Sequence, residues 1–84
     1  MATVENLIVR FIAEEILRGA SPNDLSVDQP LLEDGVLDSI GLQDLVTFLE
    51  TDLSITLDDE HLVPENFESV RTIVELVERV RAAG

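Results

Sequence analysis

The chain has 84 residues, 45% of them apolar, and sets 18 acidic side chains against five basic ones for a net charge of −13. That length supports one domain with one modest core, and the apolar share is too high for a disordered acidic tail. With no cysteine it has neither a disulfide framework nor a thiolate metal site; nucleic acid is a poor partner for so acidic a surface, and no apolar run is long enough to span a membrane. Residues 1–84 therefore read as a single domain, expected to be monomeric and steered toward basic protein surfaces. The N-terminus lacks a signal peptide's basic start and unbroken apolar core, so a cytoplasmic location is expected.

From Thr3 to about Arg18, Val4, Leu7, Ile8, Phe11, Ile12 and Ile16 recur at helical spacing, with Thr3 as the cap and Gly19 at the stop. Glu14 and Arg18 stand four apart in the favourable order for an ion pair. Residues 20–38 form a long connection in which Ser21-Pro22-Asn23-Asp24 predicts a capped turn. Leu25, Val27, Leu31, Leu32, Val36 and Leu37 are too many apolar side chains to leave in water, so this loop must lie over the bundle. A second helix is predicted from Ser39 to Asp52, with Leu42, Leu45, Val46, Leu49 and Leu53 inward and Gln43, Asp44, Thr47, Glu50 and Thr51 outward. The alternating run 52–57 has no second strand to pair with and reads as an extended connector. Short helical turns are expected at 58–61 and 64–67, and a last helix from about Ser69 presents Val70, Ile73, Val74, Val77 and Val80 on one side. The expected fold is all-α: a small four-helix bundle of three main helices and a short third one, with a long loop between helices 1 and 2.

Catalytic readings fare poorly. A nucleophilic Ser39 needs an adjacent base held by a third group, and the one histidine, His61, lies in an acidic segment expected to be exposed. Gly35 through Gly41 is no nucleophile elbow, because Leu37 stands where that motif needs glycine. Asp52, Ser54, Thr56 and Asp58 offer oxygens at alternate positions. A calcium loop starting at Asp52 would need glycine in place of Leu57 and glutamate in place of Val63. No enzyme activity and no metal site are expected.

The segment Gly35-Val36-Leu37-Asp38-Ser39-Ile40 places a serine where a turn becomes a helix, at that helix's positive end. An acidic residue, serine and an aliphatic residue opening the second helix after a long loop resemble the modification site of the acyl and peptidyl carrier proteins. The resemblance extends along the chain in helix spacing and loop length, and continues in Asn66-Phe67-Glu68-Ser69-Val70 before the last helix. Asp38 and Ser39 also read simply as a helix cap, and an unmodified acidic interaction module is the alternative from another class.

The resemblance implies that a phosphopantetheinyl transferase, using coenzyme A and magnesium, attaches a 4'-phosphopantetheine arm to Ser39. The arm's thiol would then hold cargo as a thioester. It also implies a loading partner, either an adenylating ligase or an acyltransferase, and downstream tailoring or condensing enzymes. Asp38 is expected to help hold the transferase's magnesium. The mixed outer face of the second helix looks more like a free-standing aminoacyl or peptidyl carrier than a fatty-acyl or polyketide carrier. Ile40, Leu42, Val63 and Phe67 are the candidate apolar partner contacts, and Asp44 and Glu50 the candidate steering charges. Gly41 is expected to leave open ground beside Ser39 for the root of the arm.

Mutual repulsion among the carboxylates should loosen the fold at low ionic strength. The melting temperature is therefore expected to rise through a sodium chloride series followed by circular dichroism.

Overall fold

A computed structural model describes residues 3–83; Met1, Ala2 and Gly84 lie outside it, and with them the extreme start of the segment read for a leader. The described residues form three α-helices, α1 (Val4–Phe11), α2 (Ser39–Asp52) and α3 (Val70–Ala83), with no strand. The short third helix of the expected bundle is a pair of 3₁₀ turns, Asp59–His61 and Pro64–Phe67, and a third such turn covers Pro22–Asp24.

Thr3 caps α1 as expected, its hydroxyl accepting from the Asn6 amide at 3.1 Å. Beyond Phe11 the helix widens into a π turn over Ile12–Ile16, where the Leu17 amide reaches back five residues to the Ile12 carbonyl at 2.8 Å. Arg18 and Gly19 both take left-handed backbone angles, φ 52° and 102°, and the Gly19 amide closes on the Ala13 carbonyl. Arg18 has therefore left the helical face, and the expected Glu14–Arg18 pair is replaced by Arg10–Glu14 at 3.5 Å.

The long loop is tied down in the way its apolar content requires. Leu25, Leu31 and Leu37 are buried, while Val27, Leu32 and Val36 pack at the edge of the core. Its backbone is held against the start of α3 by Leu31 N to Glu68 O at 2.7 Å and Arg71 N to Val27 O at 3.0 Å. The Arg71 guanidinium adds a two-pronged bond to Asp28, 2.6 and 3.1 Å. Ser69 caps α3, its hydroxyl accepting from the Thr72 amide.

Ile8, Ile12, Leu31, Leu45, Leu49, Phe67, Val70, Ile73, Leu76 and Val77 fill the centre. Leu76 completes the stripe of α3 beyond the valines and Ile73 read from spacing. In the connector, Leu53, Ile55 and Leu57 point inward and Ser54 and Thr56 outward, without a ladder partner. Its ends are held by side chains: Arg81 donates to the Leu53 carbonyl at 3.4 Å, and Glu50 accepts from the Leu57 amide at 3.2 Å.

The hydrogen bonds from Arg71 hold the Asp28 carboxyl below its ordinary pKa, and Arg71 is raised in return. The unfolded chain then binds a proton at Asp28 before the folded one does. The pair's contribution is complete above the ordinary carboxylate range of about pH 4 and is lost as pH falls through the lower folded value. Thermal melts should show Asp28→Asn slightly less stable than wild type at neutral pH. That difference should narrow below about pH 4 and then close.

Candidate functional site

The start of α2 is organised by Asp38. Its backbone is extended, φ −101° and ψ −172°, while its carbonyl already accepts the Leu42 amide at 2.8 Å. Its side-chain Oδ1 accepts from the Gly41 amide at 2.7 Å. That bond satisfies one of the amides a helix cannot pair for itself and leaves those of Ser39 and Ile40 at the open end. Ser39 is the first helical residue and is exposed. A hydroxyl is thus presented to solvent at a point where the helix dipole favours a negatively charged substituent.

Gly41, expected to leave open ground beside Ser39, is instead buried. A Cβ there would stand 3.2 Å from Asp38 Oδ1, 3.6 Å from Ile16 Cγ2 and 3.8 Å from Leu37 Cδ2. The space is bordered by the cap, the π turn and the end of the loop, and only the cap oxygen stands closer than ordinary contact.

The other candidate residues divide by burial. Ile40 is 72% exposed, next to Ser39, and Asp44 is exposed on the same helix. Leu42 and Val63 are half-buried. Phe67 is 1% exposed and belongs to the core, so it offers a partner nothing to touch. Glu50 is exposed, but one oxygen is engaged with the Leu57 amide, which makes it a brace for the connector as well as a charge.

Spacing alone passed over Leu62, which is 43% exposed, and Phe48, which stacks on Phe11 with ring centroids 4.3 Å apart. Phe48 sits between the inward and outward stripes of α2, so periodicity assigns it to neither. The aromatic at Phe11 on the partly buried face of α1 was the available signal.

His61 is half-buried and turned into its own 3₁₀ turn, where Nδ1 accepts from the Asp58 amide at 3.0 Å. That bond, and not exposure, keeps it from being a free base. Among the described residues no cluster of histidine, cysteine or carboxylate side chains could hold a metal ion, and no helix is long and apolar enough to cross a membrane.

No protein-family model matches the chain. The probable acyl carrier protein PigG of Serratia sp. (strain ATCC 39006) is 32% identical over 79 residues, covering 94% of this chain and 90% of that protein. Among solved structures, KstB-PCP in its apo form is 37% identical with a TM-score of 0.78, the match covering 89% of this chain and 82% of that one. A chain in a crystal structure described as an FAD-dependent dehydrogenase is 33% identical with a TM-score of 0.75, covering 83% of this chain and 97% of that one.

The geometry of the cap sets its energetic worth. Asp38→Ala removes the acceptor for the Gly41 amide and should cost about 1 kcal/mol by urea denaturation. Asp38→Asn keeps an oxygen there and should stay within about 0.5 kcal/mol of wild type.

Proposed function

The chain belongs to the acyl and peptidyl carrier protein family, and on that footing we propose that Ser39 is the attachment point of its 4'-phosphopantetheine arm. The observation that carries the proposal is an exposed serine opening α2 directly after a capping aspartate. Attachment forms one ester bond from Ser39 Oγ to the phosphate next to pantetheine. It breaks the diphosphate bond of coenzyme A, expels the nucleotide half and releases the hydroxyl proton. When bound, the arm supplies a terminal thiol that holds cargo as a thioester, a group the cysteine-free chain does not have.

The protein's own residues bind, orient and present. The open end of α2 favours the phosphate's charge, while Asp38 next to Ser39 repels it. That repulsion suits a role in the transfer step, in which the Asp38 carboxylate would help hold the transferase's magnesium. Tethering raises the effective concentration of the cargo at each enzyme visited. Ile40, exposed beside the arm, is the apolar contact for those enzymes, Leu42 extends it, and Asp44 steers basic surfaces toward it.

The cargo is an aminoacyl or related acyl group of a natural-product pathway. The likeness to KstB-PCP and the neutral Gln43, Thr47 and Thr51 on the outer face of α2 support this over a fatty-acyl or polyketide cargo. An adenylating ligase is then the loading partner. The chain itself catalyses none of these steps and works in the cytoplasm.

Incubation with coenzyme A, magnesium and a promiscuous phosphopantetheinyl transferase should add the mass of one arm to wild type and nothing to Ser39→Ala, read by intact mass spectrometry. A wild-type chain that gains no mass would leave only an acidic interaction module.

A further inference from the structure

His61 is the only histidine of the chain, and its ring closes the 3₁₀ turn that follows the connector. Nδ1 accepts from the Asp58 amide at 3.0 Å. A ring nitrogen that accepts carries no proton, so the imidazole is neutral with its hydrogen on Nε2. The half-buried ring lines a cleft of about 650 Å³ that it shares with Ser54 and Thr56 of the connector and with Arg79 and Arg81 of α3. The backbone is tied separately: the His61 carbonyl accepts from Asn66 Nδ2 at 2.8 Å, and Asn66 Oδ1 accepts from Arg79 at 3.0 Å. One end of the turn thus hangs on a ring that can take up a proton, and the other on an amide that does not titrate. Charged groups meet the ring from two elements. Asp58 and Glu60 belong to its own turn, with Glu60 Oε1 3.9 Å from Nε2, and Arg79 and Arg81 face the same cleft from α3. Asp59 and Glu65 are the exposed carboxylates next along the two 3₁₀ turns.

We propose that His61 is a pH-sensitive latch on residues 58–62: the neutral ring closes the turn and the charged ring opens it. Protonation moves one proton from water to Nδ1 and breaks no covalent bond. Two N–H donors then face each other across the former hydrogen bond, and the Asp58 amide has lost its acceptor. The imidazolium finds acceptors in the carboxylates of Asp58 and Glu60 and is repelled from the cleft by Arg79 and Arg81. The charged ring therefore turns out of the cleft toward solvent. The Asn66 bond is made to backbone and persists, which confines the movement to the Asp58 side. The Leu62 amide bonds back to the Asp59 carbonyl at 3.1 Å, so loosening the turn reaches Leu62, a side chain 43% exposed beside the half-buried Val63. An apolar edge of the molecule is in this way presented differently above and below the titration of one ring. The latch works whether or not Ser39 carries an arm.

NMR of nitrogen-labelled protein, titrated from about pH 8 to about pH 5, reads the ring and the turn together. At the alkaline end the ring should show the Nε2–H tautomer. Through the titration the Asp58 and Leu62 amide resonances should shift with the same midpoint as the ring. At the acid end the Asp58 amide should exchange with water about fivefold faster than in His61→Asn. Asparagine puts an oxygen where Nδ1 stands and takes up no proton, so in that variant both amides should hold steady over the same range. His61→Ala removes the acceptor at every pH, and its Leu62 amide at the alkaline end should lie close to the wild-type position at the acid end. The latch is overturned by an Nδ1–H tautomer at the alkaline end, by amides that do not follow the ring, or by an alanine variant that keeps the closed position. It is equally overturned by amides that follow pH in His61→Asn as they do in wild type, which would assign the change to the carboxylates, or by equal exchange in the two proteins at the acid end. Arm attachment at Ser39, read by mass, is tested separately and is untouched by any of these results.

Discussion

A single hydrogen bond, from the Gly41 amide to the Asp38 carboxylate, decides where α2 begins and hence where Ser39 stands. Without it the first turn would have no side-chain acceptor, and the helix could fray past the serine. Around Gly41 the bond is packed by Leu37 at the end of the loop and by Ile16 in the π turn that follows α1. Both are secured elsewhere: the loop by its backbone bonds to Glu68 and Arg71, and α1 with its π turn by Ile8 and Ile12 in the core. The start of α2 is thus a product of packing by several elements.

The charge distribution serves the same arrangement. Among the described residues arginine makes two ion pairs, Arg10 with Glu14 between α1 and its π turn and Arg71 with Asp28 between α3 and the loop. Arg79 and Arg81 donate to Asn66 and to the Leu53 carbonyl near the end of α2. Most carboxylates are left in solvent, where their summed field acts on whatever approaches. A carrier that must meet several enzymes briefly gains more from such steering than from a large apolar interface.

Much of this was readable in the amino acids. The bounds of α2 follow from an aspartate cap and an apolar stripe, and the burial of Leu25, Leu31 and Leu37 follows from the cost of leaving them wet. The π turn was not readable, because the apolar residues from Val4 to Ile16 satisfy a helical period whether or not one turn widens. The Glu14–Arg18 pair failed for that reason, since Arg18 leaves the helix with left-handed angles. Gly41 was misread because openness cannot be inferred from a missing side chain without knowing what fills the space. Phe67 was misplaced as a contact residue because an aromatic beside a turn reads equally well as surface or core. Only the packed structure, in which it is 1% exposed, decides for core.

The connector between α2 and the 3₁₀ turns has a bearing on how the protein behaves when crowded. Strand-like segments invite other chains to add along their free backbone, and aggregation starts from stretches of about six or seven residues. Here Arg81 covers the carbonyl at Leu53 and Glu50 the amide at Leu57, so only three residues between them are left without such a guard. An invading strand finds too short a template to nucleate on. A domain made to be approached by many proteins is in this way closed to the least selective kind of approach.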